Sequence, residues 1–162
     1  MKRTLAVLIE NKPGALARIV GLFHQRGYNI DSLNVAPVFD ESYSRMTVTT
    51  QGNENVVEQI TKQINKLIDV IKVSDLTEGS HHEVEYVLLK ISTKQFNQTF
   101  KRKLKYLEHH IIEQDSSIVV LGIMGNSASI DDFLKSLNKK SLIELSRSGC
   151  IGMHKSEKHL TI

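Results

Sequence analysis

Tryptophan is missing from this sequence, cysteine occurs once, and four tyrosines and five phenylalanines are the only aromatics in 162 residues. The lone Cys150 excludes an internal disulfide, and nothing near it in sequence marks an activated nucleophile, so it reads as a packed thiol. So few aromatics leave little to stack on bases. An excess of one charge is lacking too: Lys and Arg number 21 against 18 Asp and Glu, and a net +3 points to neither nucleic acid nor membrane as a partner. The opening MKRTLAVLIE ends its apolar stretch at Glu10, too short for a secretory or spanning segment, and a soluble cytoplasmic protein is expected. Catalytic signatures are absent as well: there is no G-x-S-x-G, H-E-x-x-H, P-loop or G-x-G-x-x-G after a strand. The pairs His81, His82 and His109, His110 cannot converge on one metal ion when extended, because strand neighbours point to opposite faces. Neither a catalytic nor a metal site is expected.

What is present is a pattern of short alternating runs and apolar helical stripes. TLAVLIE puts Leu5, Val7 and Ile9 on one face of a strand. Leu16, Ile19, Val20 and Phe23 then follow at helical spacing, and the predicted helix runs from about 13 to 26, with Pro13 at its first position and Gly27 just past its end. In YNIDSLNVAP, Ile30 is out of phase with Leu33 and Val35, which predicts a bulge or a late start, and Pro37 ends the strand. SRMTVTTQG alternates with Met46 and Val48 inward. Asn53 is placed to cap a helix carrying Val56, Val57, Ile60, Ile64 and Leu67, and DVIKVSDL closes the set as a strand.

TEGSHHE reads as a linker, after which the same order recurs. Val87, Leu89 and Ile91 alternate, while Phe96, Phe100, Leu104 and Leu107 share a helical face. HHIIEQ and SIVVLGIMG form two strands around Asp115 and Ser116. Ser129 is placed to cap a helix with Ile130, Phe133, Leu134 and Leu137, and SLIELSRSGCIGM is the last strand. The prediction is therefore α+β: two tandem ferredoxin-like βαββαβ units, residues 1–78 and 79–162, each a sheet with both helices on one face. Such a sheet leaves its other face and its edges open, which a second copy would cover.

The basic run Lys101, Arg102, Lys103, Lys105 reads first as a solvated helix face and second as a surface for an acidic partner. A ferredoxin-like unit also suits RNA, but the central strands LAVLIE and SRMTVTT carry no aromatics to stack on bases. The stretch NKPGAL is more informative. A helix N-terminus attracts a carboxylate, Gly14 lets a ligand approach the backbone, and the amides of Asn11 and Asn29 match the ammonium and carboxylate of a zwitterion. Ordinary turn chemistry explains the same letters equally well.

LIENKPGALARIVGLFHQRGYNIDSLNVAP, SRMTVTT, LIDVIKVSDL and RSGCIG together resemble the small regulatory subunits of bacterial acetolactate synthase. The N-x-P-G-A-L-x-R block alone resembles only the ACT domain, a ligand-sensing module; joined to RGYNIDSLNVAP it is more specific. The resemblance implies that 1–78 is an ACT domain that pairs side by side into a homodimer. It implies a feedback inhibitor, valine among the branched-chain amino acids with leucine and isoleucine, held between Asn11, Gly14, Ala15 and Leu16 of one copy and Asn29 and Ile30 of the other. It further implies a non-catalytic chain that activates a large subunit carrying thiamine diphosphate, FAD and Mg²⁺, with no cofactor in this chain. TKQFNQTFKRKLKYL and IIEQDSS match no motif of the family. A free-standing ACT-type sensor of another enzyme or of a transcription factor is the alternative.

Overall fold

Alternation and helical stripes assemble as two four-stranded antiparallel sheets, each with two helices on one face. The structure is a computed structural model and describes residues 1–155, 157 and 159–161. Contacts divide the chain into Met1–His82 with Cys150–Ile162, and Glu83–Gly149. The expected division lay between 78 and 79 and assigned the chain's end to the second unit; here the residues from Cys150 onward group with the first.

In the first unit, β1 (Lys2–Glu10), α1 (Ala15–Gln25), β2 (Ile30–Pro37), β3 (Tyr43–Gln51), α2 (Glu54–Ile64) and β4 (Val70–Asp75) form a sheet of order β2-β3-β1-β4. Leu5, Val7, Ile9, Met46 and Val48 face Ile19, Phe23, Val57, Ile60 and Ile64 in one buried core. The expected bulge lies where the β2–β3 register slips between Ile30 and Ser32. Asn53 caps α2, its side chain accepting the Val56 N–H at 3.0 Å.

The start of α1 differs from the expectation. Pro13 lies in the preceding turn, and Gly14 is the N-cap, with φ of 86°. Gly14 is thus not a weak residue inside a helix: the left-handed backbone requires it, since a side chain there costs about 1–2 kcal/mol. Gly27, at φ 69°, ends the helix as expected.

The face of this sheet away from the helices is covered by the chain itself. Ala6 and Leu8 are buried with Leu76 and Leu160, and Val38 and Tyr43 pack against them. Polar ties hold the same segment: Arg45 Nη2–H donates to the Gly152 carbonyl at 2.7 Å, Lys72 Nζ–H to the His159 carbonyl at 3.1 Å, and Ser74 Oγ lies 2.7 Å from His154 Nε2. No second copy is needed to bury Leu8.

The second sheet is formed along β5 (His81–Ser92), α3 (Gln98–Lys103), β6 (Glu108–Gln114), β7 (Ile118–Gly125), α4 (Ser127–Lys135) and β8 (Leu142–His154), in the order β6-β7-β5-β8. Val87, Leu89, Ile91, Val119, Leu121 and Ile123 bury against Phe100, Leu104, Ile130 and Phe133. Three local expectations are corrected. TEGSHHE is only partly a linker, because Leu76–Glu78 form a 3₁₀ turn and His81 opens β5. Helix α3 has six residues, because Asn97 accepts the Phe100 N–H at 3.1 Å and fixes the start beyond Phe96. Asn126, not Ser129, caps α4, accepting the Ser129 N–H at 2.8 Å. Asn is as good a cap as Ser, and it stands three residues earlier. Cys150 is buried, as a packed thiol should be.

Truncating a buried Leu to Ala costs about 2 kcal/mol or more. Leu160→Ala should therefore lower the urea midpoint by that equivalent. A change within about 0.5 kcal/mol, the usual size for a surface site, would show that the segment does not cover Leu8 in solution.

Candidate functional site

The loop between β1 and α1 is held at three points by backbone and side chain. Glu10 N–H donates to the Asp69 carbonyl, and Asn11 N–H to the Ser42 carbonyl, both at 2.8 Å. Asn11 Nδ2–H donates to the Glu41 carbonyl, also at 2.8 Å, so one face of its amide is already engaged. No side chain caps α1, and its first turn therefore presents free N–H donors at a partly positive helix end. Ala15 is buried in the core, with Leu16 packed against it, and the Ala15 N–H donates to the Lys12 carbonyl at 3.3 Å, so Ala15 offers a ligand neither its side chain nor a free N–H.

Sequence reasoning missed the charges that surround Gly14. Asp69, whose side chain is 1% exposed, receives Arg18 Nε–H on Oδ2 at 2.5 Å and lies 2.9 Å from Lys12 Nζ through Oδ1. Lys12 also pairs with Glu10. The bond from Arg18 and then that from Lys12 hold the Asp69 carboxyl well below its ordinary value of 3.8, at about 2, against the opposing effect of burial. Lys12 is raised from its ordinary value, first by Glu10 and then by Asp69. Arg18 Nη1 lies 3.2 Å from the place a Cβ on Gly14 would take. The space above Gly14 is thus flanked by a half-exposed guanidinium. The spacing of Gly14 and Arg18 held the signal, since i and i+4 share a helix face. Nothing local in sequence announces Asp69.

Asn29 and Ile30 stand elsewhere. Ile30 is opposite Thr50 on β3, whereas Asn11 is bonded to Ser42 at the other end of that strand. At strand rise the separation is about 25 Å, so one copy does not bring the two halves of the expected site together. Asn29 is exposed, with Nδ2–H donating to Asp31 Oδ1 at 2.9 Å. Gly14 and Arg18 also line an open cleft of about 500 Å³ with Gly21, Leu22, Gln63 and Leu67, between α1 and α2. Neither Asn11 nor Asn29 lines that cleft.

The histidines are dispersed: His110 Nε2 lies 3.1 Å from the Tyr86 hydroxyl, and His81 Nδ1 lies 3.1 Å from the Gly79 carbonyl. The described residues contain no helix long and apolar enough to cross a membrane.

Comparison with known proteins agrees with the tandem architecture. Residues 5–72 match the family described as AHAS small subunit-like ACT domain, and residues 84–156 match the small subunit of acetolactate synthase. The chain is 44% identical over 160 residues to the acetolactate synthase isozyme 3 small subunit of Escherichia coli, covering 98% of each chain. It is 40% identical over 162 residues to the acetolactate synthase small subunit of Haemophilus influenzae, covering 99% of each. The crystal structure of the acetolactate synthase small subunit of Thermotoga maritima superposes with a TM-score of 0.85 at 27% identity, over 98% of this chain and 99% of that one.

Because the folded-state value of Asp69 is depressed, its contribution to stability is full above about pH 4 and is lost as pH falls toward about 2. Asp69→Asn should lower stability at pH 7 and flatten the acid limb between those values. An unchanged acid limb would mean that Lys12 and Arg18 do not hold the carboxylate. Gly14→Ala should cost about 1–2 kcal/mol through its left-handed backbone, read by chemical denaturation.

Proposed function

This chain belongs to the acetolactate synthase small-subunit family, and from that premise we propose that it is a non-catalytic regulatory subunit that activates the large catalytic subunit and makes it sensitive to valine. Thiamine diphosphate, FAD and Mg²⁺ are assigned to the large subunit, and the assembly to the cytoplasm.

The observation that carries the ligand reading is the placement of β2 at the edge of the first sheet. Antiparallel pairing of this edge with its equivalent in a second copy sets Ile30 of the second copy beside Pro37. Pro37 is opposite Ser44, and Ser44 is opposite Ile9. The halves about 25 Å apart within one chain thereby fall at the same end of a continuous sheet. Asn29 and Ile30 of one copy face the Asn11–Leu16 loop of the other across the β2 edge, and symmetry makes two such sites.

The chemistry at that end suits a free amino acid. Uncapped N–H groups of α1, Arg18 and Lys12 favour the carboxylate, and the two Asn amides order the polar head. Leucine and isoleucine share that head with valine and compete by side-chain shape. Regulation is then linkage. The amino acid shifts activity only by its differential affinity for the arrangement that activates, typically about 1 to 3 kcal/mol.

Purified alone, the chain should have no synthase activity; added to the large subunit it should raise the rate, and valine should reverse the gain. No change in rate on addition would refute the regulatory reading. Asn11→Ala and Asn29→Ala should each weaken valine inhibition by about tenfold or more, the equivalent of one charge-assisted hydrogen bond, while activation persists. Mixing the two variants gives a decisive check: in a mixed dimer one site carries both changes and the other carries neither, so partial valine sensitivity should return. Failure to return would refute a site built from Asn11 of one copy and Asn29 of the other.

A further inference from the structure

The first unit has a second cleft, at the sheet edge opposite β2. It has a volume of about 620 Å³ and lies between α2 and β4, with Arg3 of β1 and His159 on its walls. The charges within it are incompletely matched. Arg3 is 12% exposed, and its Nη1 is 3.3 Å from Thr77 Oγ1 and 3.7 Å from Asp75 Oδ2, while its buried Nε–H has no partner among the described residues. Asp75 cannot turn fully to it, because Oδ1 accepts the Thr77 N–H at 2.8 Å and the Thr77 hydroxyl. Lys72 is held by a neutral carbonyl, that of His159. Glu54 and Glu78, also on the walls, take no part in an ion pair among the described residues; Glu58 is paired with Lys62.

Among the described residues the Arg3 guanidinium meets only the Thr77 hydroxyl and, at 3.7 Å, one oxygen of Asp75, and a carboxylate in its plane is the group that completes such pairing best. A plain anion would meet the fields of Glu54, Glu78 and Asp75. A molecule bearing both charges would not, since its ammonium would match the glutamates. We propose that this cleft is a second ligand site, for a small zwitterion of the free α-amino acid class, with the carboxylate on Arg3 and Lys72 and the ammonium toward Glu54 and Glu78. Such a ligand would touch α2, β4 and the segment carrying His159 together, and would strengthen the cover over the outer sheet face.

The test uses the full chain and the Arg3 Nε–H resonance in ¹H–¹⁵N spectra, assigned by its loss in Arg3→Lys. Each of the common L-amino acids is added at about 10 mM, enough to fill a site of millimolar affinity. At least one should move the Arg3 Nε–H signal and the amides of Val73 and Ser74 along one saturable curve. Its 2-oxo acid and its amine counterpart should act at least about tenfold more weakly. Lys72→Gln, at the exposed rim, should weaken the response about threefold without altering the fold; an unchanged response would count against the assignment. In Asn11→Ala the response should persist, which separates this site from the loop at Gly14. The proposal is overturned if no amino acid moves the signal, if the 2-oxo acid acts as strongly, or if Asn11→Ala abolishes the response.

Discussion

Asp69 is the point on which the β1–α1 end of the first unit depends. Its carbonyl accepts the Glu10 N–H, and its buried carboxylate accepts Arg18 Nε–H beside the Lys12 ammonium. A buried charge must be paired or it would neutralise, and here the two cations come from the loop and from the first turn of the helix beyond it. One side chain therefore fixes the path of the chain on both sides of Gly14. Without it Arg18 would be a cation near the positive end of α1, an unfavourable arrangement. With it the guanidinium stays half-exposed beside the bare backbone of Gly14, as part of a rigid corner in which two cations are matched by Asp69 and Glu10. A corner already ordered costs a ligand little to enter.

Most of the architecture was legible in local pattern, because strand and helix periods are written every two and every three or four residues. The alternation of Leu5, Val7 and Ile9 and the stripe of Val57, Ile60 and Ile64 translate directly into the first core. Even the phase break at Ile30 was readable and became the bulge. Helix ends were less so, since several polar residues compete within a few positions: Gly14 rather than Pro13 begins α1, and Asn126 rather than Ser129 begins α4. Contacts between distant positions left no local trace. Leu160 packs beside Ala6 and Leu8, and Asp69 holds Arg18 from 51 residues away. The candidate loop was found because Asn11 and Gly14 have a chemistry of their own; the charges that brace it were not, because pairing is a property of the fold.

The covered outer face changes what a second copy can be for. An open sheet can lose its exposed apolar face to its own chain or to a partner, and here Leu76, Leu160 and their neighbours do this within the first unit. The β2 edge is not covered in that way, and Val35, Ala36 and Pro37 on it are exposed. A row of backbone donors and acceptors left at an edge is a template for another strand. Pro37 has no N–H, so the row stops there, and at the other end the bulge at Ile30 interrupts its pairing with β3.

Those two stops bear on how an amino acid could control an assembly built on this edge. Under the proposed pairing, the distance from Asn29 of one copy to Asn11 of the other is set by strand register. A slip of two residues keeps every side chain on its own face, so the cores scarcely resist it, yet it carries Asn29 about 7 Å along the edge. A zwitterion held by both amides would tolerate no such shift. Binding then selects one register, or one twist about it, out of several that the hydrophobic core leaves close in energy, and a large subunit that grips the dimer in another arrangement loses its grip by the same free energy. In the proposed site the buried Asp69 braces the half built on Asn11 and Gly14, so a change in pairing is taken up by the half built on Asn29. Under the proposed pairing the lever is the edge between two copies, and the core of each can stay as it is.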